Sequence, residues 1–163
     1  MDIERDLTRL DEQERVLRFP AFDLATAWEL GTRLRAAALQ RGVVIAIEVR
    51  LQRETVFFCA MPGTTPENAD WARRKRNTVE LMQRSSYAVG RKLERDNATL
   101  EQKMALPLRD YAAHGGSFPI RVEGVGCVGA VTVSGLPQRE DHVLVTSVIA
   151  EMCGVPAAVS HLE

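Results

Sequence analysis

The sequence predicts an α+β fold: a mainly antiparallel sheet of four or five strands with helices packed over it. Two observations carry this. β-branched and aromatic runs come in two pairs, 43–50 with 55–60 and 118–122 with 127–133, and each pair is joined by a short link that suits a hairpin. Around these pairs, apolar residues recur at helical spacing, so that the elements follow one another as ααββααββα.

Taken in order, Ile3, Leu7, Leu10 and Leu17 mark one narrow apolar stripe on a helix over 2–17, which Phe19-Pro20 ends. Asp23 is placed to cap a second helix running to about 40, with Leu24, Ala27, Trp28, Gly31, Leu34 and Ala38 on one face and Gly42 as its stop. In the first hairpin Val43, Ile45, Ile47 and Val49 share a face, with Glu48 and Arg50 on the other. Thr65 followed by Pro66 opens a long helix read to about 95, whose inward stripe is Ala72, Lys75, Val79, Met82, Ser86, Val89 and Leu93. Thr99 and Gln102 form a capping box for a short helix over 100–106. The second hairpin turns at Glu123-Gly124, and Pro137 begins a last helix over 138–153 that Gly154 stops. A single domain over 1–156 and a flexible tail over 157–163 are expected.

Composition narrows the function classes. At 163 residues the chain suffices for one self-supporting core, and no apolar run approaches the roughly 18 residues that span a bilayer. The first residues carry neither a basic stretch nor an apolar run of the signal-peptide kind, which points to the cytoplasm. Cys59, Cys127 and Cys153 are odd in number and widely spaced, so they read as buried reduced thiols. A formal charge of -1 gives no pull on polyanions, and the basic run Arg73-Arg74-Lys75-Arg76 lacks interleaved aromatics, so nucleic acid is not an expected partner. His and Cys spacing matches no structural zinc or c-type haem pattern.

Two places can carry chemistry. The corner Ser134-Gly135-Leu136-Pro137 turns a strand into a helix, so the first-turn N–H groups face it and can hold an anion, with Arg139 in reach. Equally, Ser134 can cap the helix while Glu140 and Asp141 satisfy its dipole from within. The pair Gly115-Gly116, flanked by His114 and Ser117, permits positive φ and close approach, for a ligand or for the turn alone. In the run 73–77, Lys75 falls on the inward stripe and, once buried, needs a carboxylate of this chain or of a neighbouring one, or the acidic group of a ligand. The candidate ligand-binding set is Lys75, Arg76, Asn77, His114, Gly115, Gly116, Ser117, Ser134, Gly135 and Arg139, around a pocket between the long helix and the final corner. No catalytic residue is identified.

The stretch Gly115-Gly116-Ser117-Phe118-Pro119-Ile120, then Gly124, then 128–135, then Glu140-Asp141, resembles the HbpS/GlcG-like, or haem-degrading domain, family. Arg74 to Asn77 and the His114-to-Pro119 string resemble its cytosolic branch, with Ser117 and Phe118 between Gly-Gly and Pro where the family pattern has one residue. The likeness runs from about 6 to 150. It implies a profilin-like or PAS-like outline, assembly with copies of itself, and haem or another anionic small molecule as ligand. Haem breakdown, or a conversion using His114 as acid or base, is the enzymatic alternative. An assembly or adaptor role without catalysis is the third.

Overall fold

The computed structural model describes residues 2–162. Its elements are α1 (Ile3–Val16), α2 (Leu24–Arg41), β1 (Ala46–Leu51), β2 (Glu54–Ala60), α3 (Pro66–Met82), α4 (Ser86–Arg95), α5 (Leu100–Met104), β3 (Ser117–Val122), β4 (Gly126–Ser134) and α6 (Gln138–Cys153). The four strands form one antiparallel sheet in the order β2-β1-β4-β3. The two hairpins therefore meet at their inner strands, with Ile47 opposite Val133 and Val49 opposite Val131.

Strand alternation gives the sheet two unlike faces. Ile47, Val49, Phe118, Ile120, Val131 and Val133 point to one side, where Leu30 and Leu34 of α2 and Leu144, Val145 and Ile149 of α6 close a continuous apolar core. On the other side α3 lies across β1, β4 and β3. There the sheet presents Glu48, Arg50, Ser117 and Thr132, and α3 answers with polar groups: Arg76 pairs with Glu48 at 3.0 Å and Glu80 with Arg50 at 2.8 Å. Ser117 Oγ and Thr132 Oγ1 lie 2.7 Å apart.

Capping residues fix most helix ends where the sequence places them. Asp23 and Thr26 form a reciprocal box at the start of α2, Thr99 and Gln102 another at α5, and Gly42 and Gly154 close α2 and α6 in left-handed geometry. The long helix expected over 66–95 is instead two. Gln83 takes φ +52, Ser85 Oγ accepts from Ala88 N–H to start α4, and Glu14 of α1 accepts from Ser85 N–H at 2.9 Å. Ser85-Ser86 was the local signal for this break.

Two residues of the expected α2 stripe lie outside the core. Leu24 and Trp28 are each 65% exposed, and Leu30 takes the buried position instead. Trp28 rests edge-on against Phe57 of β2, because Gly31 lets Phe57 sit directly on the helix and leaves the indole no room inward. The three cysteines are unpaired and only partly buried. In the stretch read as a flexible tail, Ala157–Ser160 form a 3-10 turn, with Ser160 Oγ accepting from Ser147 at 3.2 Å and fully buried.

Helix α1 docks through polar contacts. Its Asp6 pairs with Arg91 and Arg139, Glu14 with Arg84 and Arg121, and Gln13 contacts His142 Nε2 at 2.8 Å while donating to Val159 O.

Candidate functional site

The centre of the candidate site is the end of β4, where Val133 and Ser134 leave the sheet and the chain turns into α6. Helix α3 crosses this end, and its phase carries Lys75 inward. The Lys75 side chain is 3% exposed, and its ammonium donates to Gly115 O at 3.0 Å, Val133 O at 2.6 Å and Asp141 Oδ2 at 3.0 Å. Three donors meet three acceptors, so Lys75 has none left for a ligand. Asp141 is as deeply buried, and its carboxylate also accepts from Leu136 N–H at 3.1 Å and Gly135 N–H at 3.4 Å.

These contacts decide between the readings of the corner. The anion at the first turn of α6 is the protein's own Asp141, and the buried Lys75 has an internal carboxylate for its partner. Burial pulls the Lys75 pKa down and pushes that of Asp141 up, each against the opposing pull of its partner's charge. Ser134 does not cap the helix: Pro137 occupies the N-cap position without a side-chain bond, and the Ser134 carbonyl faces Asn68 Nδ2 at 3.5 Å.

Above this pair opens a cleft of about 320 Å³. One wall is the first turns of α3, with Glu67, Asn68 and Trp71. The other is the corner itself, with Ser134, Gly135, Leu136 and Gln138, and His114 and Gly115 complete the lining over the Lys75–Asp141 floor. Trp71 meets the His114 ring edge-on at 5.0 Å between centroids, and Arg74, held by Leu108 O, stacks 4.3 Å over the indole. His114 lies at the mouth, and no described residue hydrogen-bonds its ring. Partial burial lowers its pKa first, with the Lys75 and Arg74 cations adding to the effect, so the imidazole is neutral at pH 7.

Five of the ten sequence candidates line this cleft: Lys75, His114, Gly115, Ser134 and Gly135. The other five lie elsewhere. Arg76 is tied to Glu48 and to Asn77 Oδ1, Asn77 donates to Asp110 O at 2.9 Å, and Arg139 reaches away to Asp6 and the Tyr87 hydroxyl. Ser117 is fully buried against Thr132. Gly116, at φ +126, has no space for a side chain, since a Cβ would come 2.5 Å from both Lys75 Nζ and Val133 O. A Cβ on Gly115 would lie 2.1 Å from Gln138 O. The glycine pair thus serves the seating of the loop against α6 and the lysine.

Sequence reasoning missed Trp71, Asn68, Glu67 and Gln138 as cleft residues. Trp71, four residues before Lys75, shares its helix face and was the one legible signal. Among the described residues no group of three or more His, Cys, Asp or Glu is arranged to hold a metal ion, and no helix is long and apolar enough to cross a membrane.

The family model described as "Haem degrading protein HbpS-like" matches residues 22–150, which takes in α2, the whole sheet and the cleft. The chain belongs to the HbpS-like family. Relatives sharing most of its length include a "UPF0303 protein" of Azotobacter vinelandii, 54% identical over 152 residues that make up 93% of this chain and 92% of that one. Among solved structures, that of the Ybr137w protein superposes with a TM-score of 0.84 at 27% identity, over 91% of this chain and 87% of that one. The PduOC:heme complex superposes with a TM-score of 0.68 at 18% identity, over 80% of this chain and 94% of its own, a likeness of fold alone. Helix α1 lies outside the family match, which begins just before α2.

Proposed function

We propose that this HbpS-like chain is a small-ligand-binding protein whose cleft between α3 and the β4–α6 corner takes a planar ring of the haem type. The observation that carries this reading is His114: a neutral imidazole at the mouth of a cleft, edge-on to Trp71, with no hydrogen bond from any described residue. A histidine in that state can offer a ring nitrogen to iron, and Trp71 supplies an apolar surface beside it. The family description and the haem complex of a protein of similar fold support the same class of ligand. When bound, haem would supply redox and oxygen chemistry; the chain's own contribution is the imidazole, the aromatic wall and a floor fixed by the Lys75–Asp141 pair.

Titration with haemin tests the proposal. The expected result is a saturable Soret shift in the wild-type protein that His114→Ala abolishes; no shift, or the same shift in both proteins, refutes it. Loss of the tetrapyrrole with iron release on incubation with reductant and oxygen would extend the reading from binding to breakdown.

A specific observation favours self-assembly as well. Strand β2 is a sheet edge, Phe58 on its α3-facing side is 49% exposed, and on its other side Trp28 packs, itself exposed, against Phe57. Such an edge is commonly covered by another chain, and a second copy is the occupant proposed here. Sedimentation of the wild-type protein is expected to show an oligomer that Phe58→Lys weakens; a monomer at micromolar concentration refutes it.

A further inference from the structure

The proposed cleft has an unexpected charge character, and its ligand class follows from it. Its one lining cation, Lys75, has all three donors engaged by Gly115 O, Val133 O and Asp141. The two corner amides that would seat an anion, Gly135 N–H and Leu136 N–H, point at the Asp141 carboxylate. Glu67 stands exposed on the rim with no partner among the described residues. The lining therefore carries two carboxylates against one ammonium whose charge is already matched. Its remaining polar side chains, the Ser134 hydroxyl, the amides of Asn68 and Gln138 and the neutral imidazole of His114, hydrogen-bond without bringing positive charge. Arg74 is a further cation close by, but it does not line the cleft, and its guanidinium is held by Leu108 O over the Trp71 ring.

We propose that the cleft selects against anions: the part of a ligand that enters it is an aromatic ring that is neutral or cationic, held beside Trp71 with Glu67 favouring positive charge. This rests on the cleft being the ligand site, as proposed above, and narrows what enters it. An anionic group brought to the corner would face the Asp141 carboxylate with only uncharged donors, such as the Gln138 amide, to offset it. A cationic or neutral ring edge meets Glu67, the Gln138 and Asn68 amides and an aromatic wall, all of which accept it. For a tetrapyrrole, the carboxylate edge is then the edge left in water.

Three isosteric probes test this: benzamidine (cation), benzamide (neutral) and benzoate (anion). The chain has two tryptophans, and Trp28 is on the opposite side of the sheet, so full-length Trp28→Phe leaves Trp71 as the sole indole reporter. Titration followed by Trp71 fluorescence is expected to rank benzamidine first and benzoate last, with a gap of roughly tenfold in Kd. Glu67→Gln is expected to shrink that gap while leaving benzamide unchanged. Calorimetry on the wild-type protein repeats the ranking without the reporter mutation. Benzoate binding as tightly as benzamidine, or none of the three binding while haemin still shifts its Soret band, overturns this inference and leaves the haem reading standing. The expected ranking with no haemin shift overturns the haem reading and leaves this one.

Discussion

The two faces of the sheet solve burial in opposite ways. Toward α2 and α6 the protein packs hydrocarbon, with Ile47, Val133, Leu34 and Leu144 all fully buried. Toward α3 it buries charge and hydroxyl: Lys75 with Asp141, Glu48 with Arg76, Arg50 with Glu80, Ser117 with Thr132. Apolar contact is non-directional and forgiving, whereas a buried ion pair holds only when every donor finds its acceptor. The α3 face is therefore the less adaptable half, and the cleft opens there, over a floor whose atoms cannot move without losing hydrogen bonds. Rigidity under the cleft is what this costlier way of packing supplies.

The largest expected effect breaks the polar face. Lys75→Ala leaves Asp141 buried without a countercharge and should cost about 3–5 kcal/mol in denaturant unfolding. The double change Lys75→Met with Asp141→Leu should recover most of that loss, because no isolated charge remains. If the double variant is as unstable as the single one, the loss comes from shape rather than charge. On the apolar face Leu34→Ala should cost about 2–5 kcal/mol, with no partner substitution able to restore it. Gly116→Ala should fall lower, at roughly 1–3 kcal/mol, since its Cβ would displace the Lys75 ammonium at a φ of +126. A blue shift of Trp71 emission would report the disturbed floor.

His142, between the apolar core and α1, sharpens the contrast through pH. Its ring is fully buried, Nδ1 has no partner among the described residues, and burial with the nearby Arg139 cation lowers its pKa from 6.5 to about 3. The unfolded chain takes up that proton near 6.5 and the folded one only near 3, so stability is intact above 6.5 and falls as pH drops between the two values. The slope should reach at most about 1.4 kcal/mol per pH unit, and His142→Asn should flatten it. An unchanged acid limb in that variant would move the effect to other groups. The smallest effect belongs to the exposed Arg33, paired with Glu29 and Glu151: Arg33→Ala should change stability by less than about 1 kcal/mol and vanish in high salt.

Much of this architecture is written locally. Both hairpins follow from period-two alternation, the starts of α2, α3 and α5 from Asp23, Thr65 and Thr99, and the ends of α2 and α6 from Gly42 and Gly154. The inward turn of Lys75 is also local, being the phase of one helix. The break at Gln83–Ser85 was not legible from apolar periodicity, because Met82, Ser86 and Val89 keep helical spacing across it, and the local cap from Ser85 is completed by the carboxylate of Glu14, far away in sequence. The exposure of Trp28 likewise depends on Phe57 arriving over Gly31 from another element.

The candidate site divides along the same line. By itself the sequence determined that a cation faces inward, that a strand meets a helix at Ser134–Pro137, and that glycines precede β3, since each is a property of neighbouring residues. Only the tertiary structure decided which groups those features serve. It spent Lys75 on Asp141 and two carbonyls, turned Arg76, Asn77 and Arg139 away, and brought Trp71 and Gln138 to His114. The reason is that hydrogen-bond and charge satisfaction in a buried place is a sum over partners from several elements, and no single stretch of chain contains that sum.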